Sequence, residues 1–174
     1  MTIQVGDMLP DIELVDHEGR PWRTAEMRGR PLVLVLHRHL ARLPCQEHVI
    51  AVRDHLDQFA DANIAVVTFA APERLAAYRE HLRLTFDVVA DTDRMLYRLL
   101  GAERGTNRQV WSRGTIRMYA RLIVAGRRLH RPTEDTHQLG ADAVVGRDGT
   151  LRYLSLPSTP DARPPISDLI AALD

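Results

Sequence analysis

The sequence predicts an α/β sandwich in which helices flank a mixed β-sheet. Two observations favour this fold class. Strand-length apolar runs alternate with helical stretches as far as Gly101, and a β-hairpin and another helix follow. Alternation is typical of parallel strands joined by right-handed crossovers, and the later hairpin adds antiparallel strands. With 174 residues and 45% hydrophobic content, we expect a single domain, residues 1–174, with a full hydrophobic core.

The first predicted elements are a hairpin and a buried central strand. A strand over 12–15 returns through 21–23 after a turn at Gly19, where the absence of a Cβ permits unusual backbone angles. Thr24 can cap a single helical turn. The continuous apolar run 32–36 contains β-branched residues and predicts a strand covered on both faces.

Cys45, the only cysteine, falls where this strand gives way to a helix. The helical pattern runs from Gln46 to about Ala60 and carries an apolar stripe that includes Val49. Pro44 suits the first turn of such a helix. Open α/β sheets place their chemistry at the carboxyl ends of strands, so this junction is the predicted functional region. The alternative is that Cys45 continues the stripe as a small buried hydrophobic residue.

Strands and helices continue to alternate beyond this junction. We predict strands over 64–69 and 86–90, and helices over 72–82 and 94–100, the second of them capped by 91–93. An arginine-rich insertion, 102–138, follows and contains a helix over 115–125. After it we predict hairpin strands over 143–145 and 151–156 and a last helix over 166–173.

The insertion 102–138 has several interpretations. Arginine side chains can bind an anionic ligand or RNA phosphates. The formal net charge of the chain is zero, which argues against nucleic acid as a partner. The insertion can also be a solvated face, a roof over the Cys45 pocket or a dimer contact. A further hypothesis is a non-catalytic module whose insertion binds a partner.

The order of these elements, with a thiol at the first strand-to-helix junction, resembles the thioredoxin fold. More closely, the chain resembles the peroxiredoxin-like branch of the alkyl hydroperoxide reductase and thiol-specific antioxidant superfamily. The matching segments are 5–14, 16–19, 28–34 and 138–149. The resemblance implies a thioredoxin-like three-layer sandwich, with the helical insertion before the last hairpin.

Peroxiredoxins carry the motif Pro-x-x-x-Thr/Ser-x-x-Cys, whose cysteine attacks the peroxide. Here the corresponding slots hold Arg38, Arg42 and Cys45, and no second cysteine is present. The resemblance therefore implies a one-cysteine peroxidase that uses Cys45 and is reduced by an external thiol. The alternative is a degenerate member of the family, repurposed for another small-molecule reaction or for binding, in which Cys45 is non-essential.

A thiol reacts as its thiolate, so groups that favour the thiolate are candidate site residues. The helix start offers unpaired N–H groups and the positive end of the helix dipole. We predict Cys45, Arg38 and Arg42 as catalytic residues, with an arginine stabilising the thiolate and the polarised peroxide oxygens. The candidate pocket residues flank the motif or lie on the loop that faces the thiol in thioredoxin-like folds: His37, His39, Pro44, His48, His137 and Gln138.

We expect no metal and no cofactor. Three histidines near Cys45 are possible soft ligands, but their spacing matches no strong metal motif. The single cysteine predicts a cytoplasmic, reducing setting, and no apolar run is long enough to suggest a membrane partner. The expected ligands are a small-molecule peroxide or another small substrate and an external thiol reductant, and the resemblance suggests a homodimer.

Overall fold

A seven-stranded β-sheet flanked by helices forms the framework of the protein. The computed structural model describes residues 2–38, 40, 42–102, 113–126, 138–158 and 162–173. In chain order the strands are β1 Glu13–Asp16, β2 Pro21–Arg23, β3 Leu32–Leu36, β4 Asn63–Thr68, β5 Asp87–Ala90, β6 Ala141–Val145 and β7 Leu151–Ser155. The α-helices of these segments are α1 Leu43–Asp54, α2 Leu75–His81, α3 Met95–Leu99, α4 Arg113–Val124 and α5 Ile166–Ala171. Short 3-10 helices cover Thr24–Met27, Leu56–Phe59 and Pro72–Arg74.

The sheet is mixed, as predicted. Its strand order is β2-β1-β5-β4-β3-β6-β7, with β3, β4 and β5 parallel and the other pairs antiparallel. Because β6 runs antiparallel to β3, its first residue, Ala141, lies opposite Leu36, the last residue of β3. The start of β6 therefore lies beside the chain that leads from β3 into α1.

Both faces of the sheet are covered by apolar side chains. Along β3, Leu32, Leu34 and Leu36 belong to one buried cluster, while Val33 and Val35 belong to a second cluster on the opposite face. Successive strand residues point to opposite faces, so the consecutive apolar residues of β3 fit a strand that is buried on both sides. The prediction of a doubly covered central strand over 32–36 is confirmed.

Helix α1 differs from the predicted helix at both ends. It begins at Leu43 instead of Gln46, because proline is tolerated in the first helical turn and Pro44 occupies the second position. It ends at Asp54 instead of continuing to Ala60. At the next residue the His55 ring nitrogen Nδ1 lies 2.7 Å from the Ala51 carbonyl oxygen, and the chain continues in a 3-10 helix.

The other boundaries lie close to the predicted ones. The predicted helix over 72–82 divides into a 3-10 turn and α2, and α4 begins two residues before its predicted start. Asp91 caps α3 as expected, accepting hydrogen bonds from the N–H groups of Met95 at 2.7 Å and Leu96 at 2.8 Å. Within the described ranges no helix combines the length and apolar character that crossing a membrane requires.

Candidate active site

Cys45 is the third residue of helix α1 and lies beyond the carboxyl end of β3. The side chain is buried, with 1% of its surface exposed. The first turn of a helix leaves backbone N–H groups without helical partners and carries the positive end of the helix dipole. The sulfur therefore lies at the positive end of the helix dipole.

Among the described residues, the cation in hydrogen-bonding contact with this sulfur is Arg163, on the loop before α5. Its Nη2 lies 3.6 Å from Cys45 Sγ and also donates a hydrogen bond to the Leu36 carbonyl at 3.0 Å. Its Nη1 donates to Asp142 Oδ2 at 2.8 Å. The guanidinium is therefore fixed in one orientation against the sulfur, and its side chain is only 8% exposed.

Gly140 leaves the space that Arg163 occupies. A Cβ at this position would lie 2.5 Å from Nη2 of Arg163 and 2.5 Å from the Leu36 carbonyl oxygen. Both distances are too short for a real contact, and the carbonyl belongs to the central strand. Gly140 thus permits a close approach of Arg163 and of the Leu36 carbonyl to its backbone.

Asp142 is a fully buried carboxylate that links Arg163 to His48. Its Oδ1 lies 2.8 Å from His48 Nε2, and its Oδ2 accepts the hydrogen bond from Arg163. Burial by itself would raise the pKa of Asp142. The charges and hydrogen bonds of Arg163 and His48 outweigh burial and hold that pKa at about 2. Burial likewise opposes the charged form of Arg163, but Asp142 and Cys45 raise the pKa of this arginine above its ordinary value.

Arg38 and Arg42, the two predicted catalytic arginines, are buried near the thiol, with 1% and 2% of their surfaces exposed. Arg38 Nε donates to the Gln138 carbonyl at 2.9 Å, and the side chain of Arg42 forms a hydrogen bond with Tyr119 of α4. Burial, followed by the charge of Arg42, lowers the pKa of Arg38 to about 10, while the charge of Cys45 raises it. Arg38, Arg42 and Cys45 therefore share one electrostatic environment.

Two predicted pocket residues are engaged in buried contacts. The ring of His37 is buried and forms a hydrogen bond with the Tyr78 hydroxyl at 2.9 Å, while its carbonyl accepts one from Tyr97 at 2.6 Å. The Gln138 amide donates to the carbonyls of Ala102 and Leu139, at 2.8 and 3.0 Å. Both side chains are therefore held in place by hydrogen bonds within the protein.

Of the four remaining pocket candidates, two lie on helix α1 and two lie outside the described residues. Pro44 is buried in the first turn of α1, and His48 faces Asp142 from the same helix. His39 and His137 lie outside the described residues. Among the residues that the structure describes, no three His, Cys, Asp or Glu side chains are grouped closely enough to hold a metal ion.

Comparison with known proteins identifies the family. The model of the AhpC/TSA family matches residues 5–153, which is most of the chain. The chain belongs to the AhpC/TSA family. A putative peroxiredoxin of Mycobacterium tuberculosis is 31% identical over 99 residues, and peroxiredoxin Bcp of Escherichia coli is 22% identical over 101 residues. These alignments cover 56% and 57% of this chain and 63% and 65% of the relatives, so the chain spans just under two thirds of their length.

Solved structures of a peroxidoxin and of a peroxiredoxin-like protein share the fold. Peroxidoxin BcpB of Mycobacterium tuberculosis superposes with a TM-score of 0.72 at 18% identity, covering 98% of this chain and 96% of that one. A peroxiredoxin-like protein of Aquifex aeolicus superposes with a TM-score of 0.73 at 11% identity, covering 99% and 87%. At such identities the likeness concerns the fold, and it confirms the predicted thioredoxin-like sandwich.

The sequence-based prediction of this AhpC/TSA site missed Arg163, Asp142 and Tyr119. One signal for Asp142 was available, because it is the single charged residue in the apolar run 141–145. A charge in a buried strand requires a partner of opposite sign. The identity of that partner, in a proline-rich loop 21 residues further along the chain, could not be derived from the pattern.

Proposed function

We propose that this AhpC/TSA family member is a thiol-dependent peroxidase of the one-cysteine type, with Cys45 as its reacting group. The observation that carries the proposal is the Arg163 guanidinium, held 3.6 Å from the sulfur by Asp142 and the Leu36 carbonyl. A fixed cation at the start of a helix favours the thiolate, which is the nucleophilic form of cysteine.

The first half of the proposed cycle oxidises the sulfur. The thiolate attacks the terminal oxygen of a hydroperoxide, so that an S–O bond forms and the O–O bond breaks. The electron pair of the broken bond leaves on the alkoxide, which takes up one proton and departs as the alcohol. The positive charges of the buried arginines Arg38, Arg42 and Arg163 stabilise the negative charge that develops on the peroxide oxygens, because preorganised cations act most strongly in a site that excludes water.

The second half returns the sulfenic acid to the thiol. The sequence contains one cysteine, so no intrachain partner can form a disulfide with Cys45. An external thiol attacks the sulfenic sulfur and releases water, and a second thiol then releases Cys45 with formation of a disulfide. This cycle requires a small-molecule peroxide and an external thiol, and no metal or other cofactor.

The proposal is tested by treating the protein with one equivalent of peroxide and trapping the product with dimedone. We expect the mass of one dimedone adduct on the peptide that contains Cys45, and no adduct on Cys45→Ser. Turnover with excess thiol should be lost in the same variant. A thiol that gives no adduct, in a protein shown to be folded by circular dichroism, would contradict the proposal.

The second candidate function is a non-redox reaction or binding on the same fold. It is favoured by the burial of Cys45, at 1% exposed, and by Arg42 in the slot where peroxiredoxins carry a hydroxyl residue. This candidate predicts an activity that survives Cys45→Ser. The dimedone experiment separates the two, because a sulfenic acid forms only on a thiol that meets the peroxide.

The proposed cycle and the family resemblance also suggest a cellular compartment and an oligomeric state. We place the protein in the reducing cytoplasm, where thiol reductants are available. We also propose a homodimer, with neither nucleic acid nor a membrane as partner. Light scattering after size-exclusion chromatography measures the mass in solution, and a monomer at every concentration would contradict the dimer.

A further inference from the structure

Two buried arginines beside Cys45 carry hydrogen-bond donors that the described part of the protein leaves unused. The unpaired atoms are Nη1 and Nη2 of Arg38 and Nε and Nη1 of Arg42. A buried donor without an acceptor is costly, and a guanidinium keeps its charge at neutral pH. Donors of this kind indicate a ligand that brings acceptors into the site.

The charges around the thiol are not balanced. Arg38, Arg42 and Arg163 supply three positive charges, the described carboxylate of the site is Asp142, and the proposed function adds the negative charge of a Cys45 thiolate. One positive charge therefore remains, and Asp142 is already committed to Arg163 and His48. Because uncompensated buried charge is unfavourable, this arrangement suits a ligand that carries one negative charge.

We propose that Arg38 and Arg42 bind the carboxylate of an organic hydroperoxide whose peroxide group reacts with Cys45. The proposal rests on the proposed peroxidase function and names the substrate class for it. A carboxylate is planar and accepts several hydrogen bonds, which matches the fork of donors on a guanidinium.

The three arginines differ in whether their donors are already paired, and this difference favours a hydroperoxide with a carboxylate over a simple inorganic anion. Arg163 is occupied by the sulfur, the Leu36 carbonyl and Asp142, so it serves the reacting end of the site. The unused donors belong to Arg38 and Arg42. A molecule with a peroxide at one end and a carboxylate at the other can place the peroxide at Cys45 and the carboxylate on these unused donors.

Three matched substrates test the proposal on the unaltered protein. They are cumene hydroperoxide, its analogue with a carboxylate in the para position, and the methyl ester of that analogue. We expect the carboxylate to form the Cys45 sulfenic acid roughly tenfold faster or more than either neutral compound, measured by stopped-flow kinetics. Equal rates for the acid and its ester would overturn the proposal, because the two differ little in shape but carry different charge.

Arginine variants test which side chains cause the faster reaction of the carboxylate substrate. Arg38→Met and Arg42→Met should each reduce the advantage of the carboxylate toward the rate of the ester. Arg113→Met, which removes an exposed arginine of α4, should leave the advantage unchanged. If Arg38→Met fails to fold, Arg38→Lys provides the test, because it keeps one charge but lacks the fork and should weaken the preference. A preference that persists in folded Arg38 and Arg42 variants would contradict the assignment.

A binding measurement separates this proposal from the proposed function. Calorimetry with Cys45→Ser and 4-isopropylbenzoate, which has no peroxide, should show one carboxylate bound per chain, with weaker binding in the corresponding Arg42→Met double variant. Absence of binding would overturn the carboxylate site even if neutral peroxides oxidise Cys45. Binding of the carboxylate together with a Cys45 that no peroxide oxidises would support the anion site and contradict the peroxidase function.

Discussion

Replacement of Arg163 by methionine tests whether this cation controls the reactivity of Cys45. Methionine keeps much of the length of the side chain and removes the Nη2 donor that lies 3.6 Å from the sulfur. A hydrogen bond to a charged group contributes about 1.5–3 kcal/mol, and about 1.4 kcal/mol corresponds to a factor of ten. We therefore expect Arg163→Met to slow the reactions of the Cys45 thiolate roughly ten- to a hundredfold.

The assay is alkylation of Cys45 by iodoacetamide between pH 5 and pH 9, followed by mass spectrometry of the intact chain. Its control addresses the second role of Arg163, which is to neutralise Asp142. Removing one partner of a buried ion pair costs about 3–5 kcal/mol of folding stability. The double variant Asp142→Asn/Arg163→Met removes both charges. It should recover part of this loss in urea unfolding while Cys45 remains slow.

The direction in which the Cys45 alkylation rate changes distinguishes electrostatic control by Arg163 from loosening of the structure. Cys45 is buried, so a variant that merely opened the site would expose the sulfur and speed its alkylation. Loss of the cation reduces the thiolate fraction and slows alkylation near neutral pH. A folded Arg163→Met protein with an unchanged or faster rate would refute the role assigned to Arg163.

Two further predictions concern the groups that hold Arg163. The pKa of Asp142 is held at about 2, below its ordinary value of 3.8, so its ionised form stabilises the fold above about pH 4 and this contribution, about 2 kcal/mol, is lost as the pH falls toward 2. In urea unfolding, the difference in the free energy of unfolding between the unaltered protein and Asp142→Asn should narrow by that amount over this pH range. A difference that stays constant with pH would contradict the low pKa assigned to Asp142. Gly140→Ala would place a methyl group 2.5 Å from Arg163 Nη2. This substitution should cost about 1–3 kcal/mol of stability and slow Cys45 alkylation, because the methyl group displaces Arg163 from the sulfur. An unchanged alkylation rate in the folded variant would contradict this displacement.

The parts of the fold that follow local rules could be predicted from the sequence. The run 32–36 contains only apolar residues with β-branched members, and it forms the central strand β3 with the predicted bounds. The arrangement of Cys45 at the start of a helix was also predicted. The first residue of that helix was misplaced, since a proline near a helix start is compatible with more than one position for the first turn.

The ion network around the thiol could not be predicted, because its members are far apart in the chain. Arg163 lies 118 residues from Cys45, and Asp142 lies 94 residues from His48. Periodicity and capping rules act over one or two turns of helix and contain no information about such pairs. The arginines near Cys45 in sequence were therefore the natural candidates, although the hydrogen bond to the sulfur comes from Arg163.

Local sequence patterns specify the alternation of strands and helices, the buried central strand and the place of the single thiol at its end. These features depend on which residues are apolar and where helices can begin. The contact between Arg163 and the sulfur depends instead on how distant segments of the chain pack together. Pairing of β6 with β3 brings Gly140 and Asp142 to the end of the central strand, and the missing side chain of Gly140 admits Arg163. The environment of Cys45 is thus a product of sheet register and close packing, which no local pattern encodes.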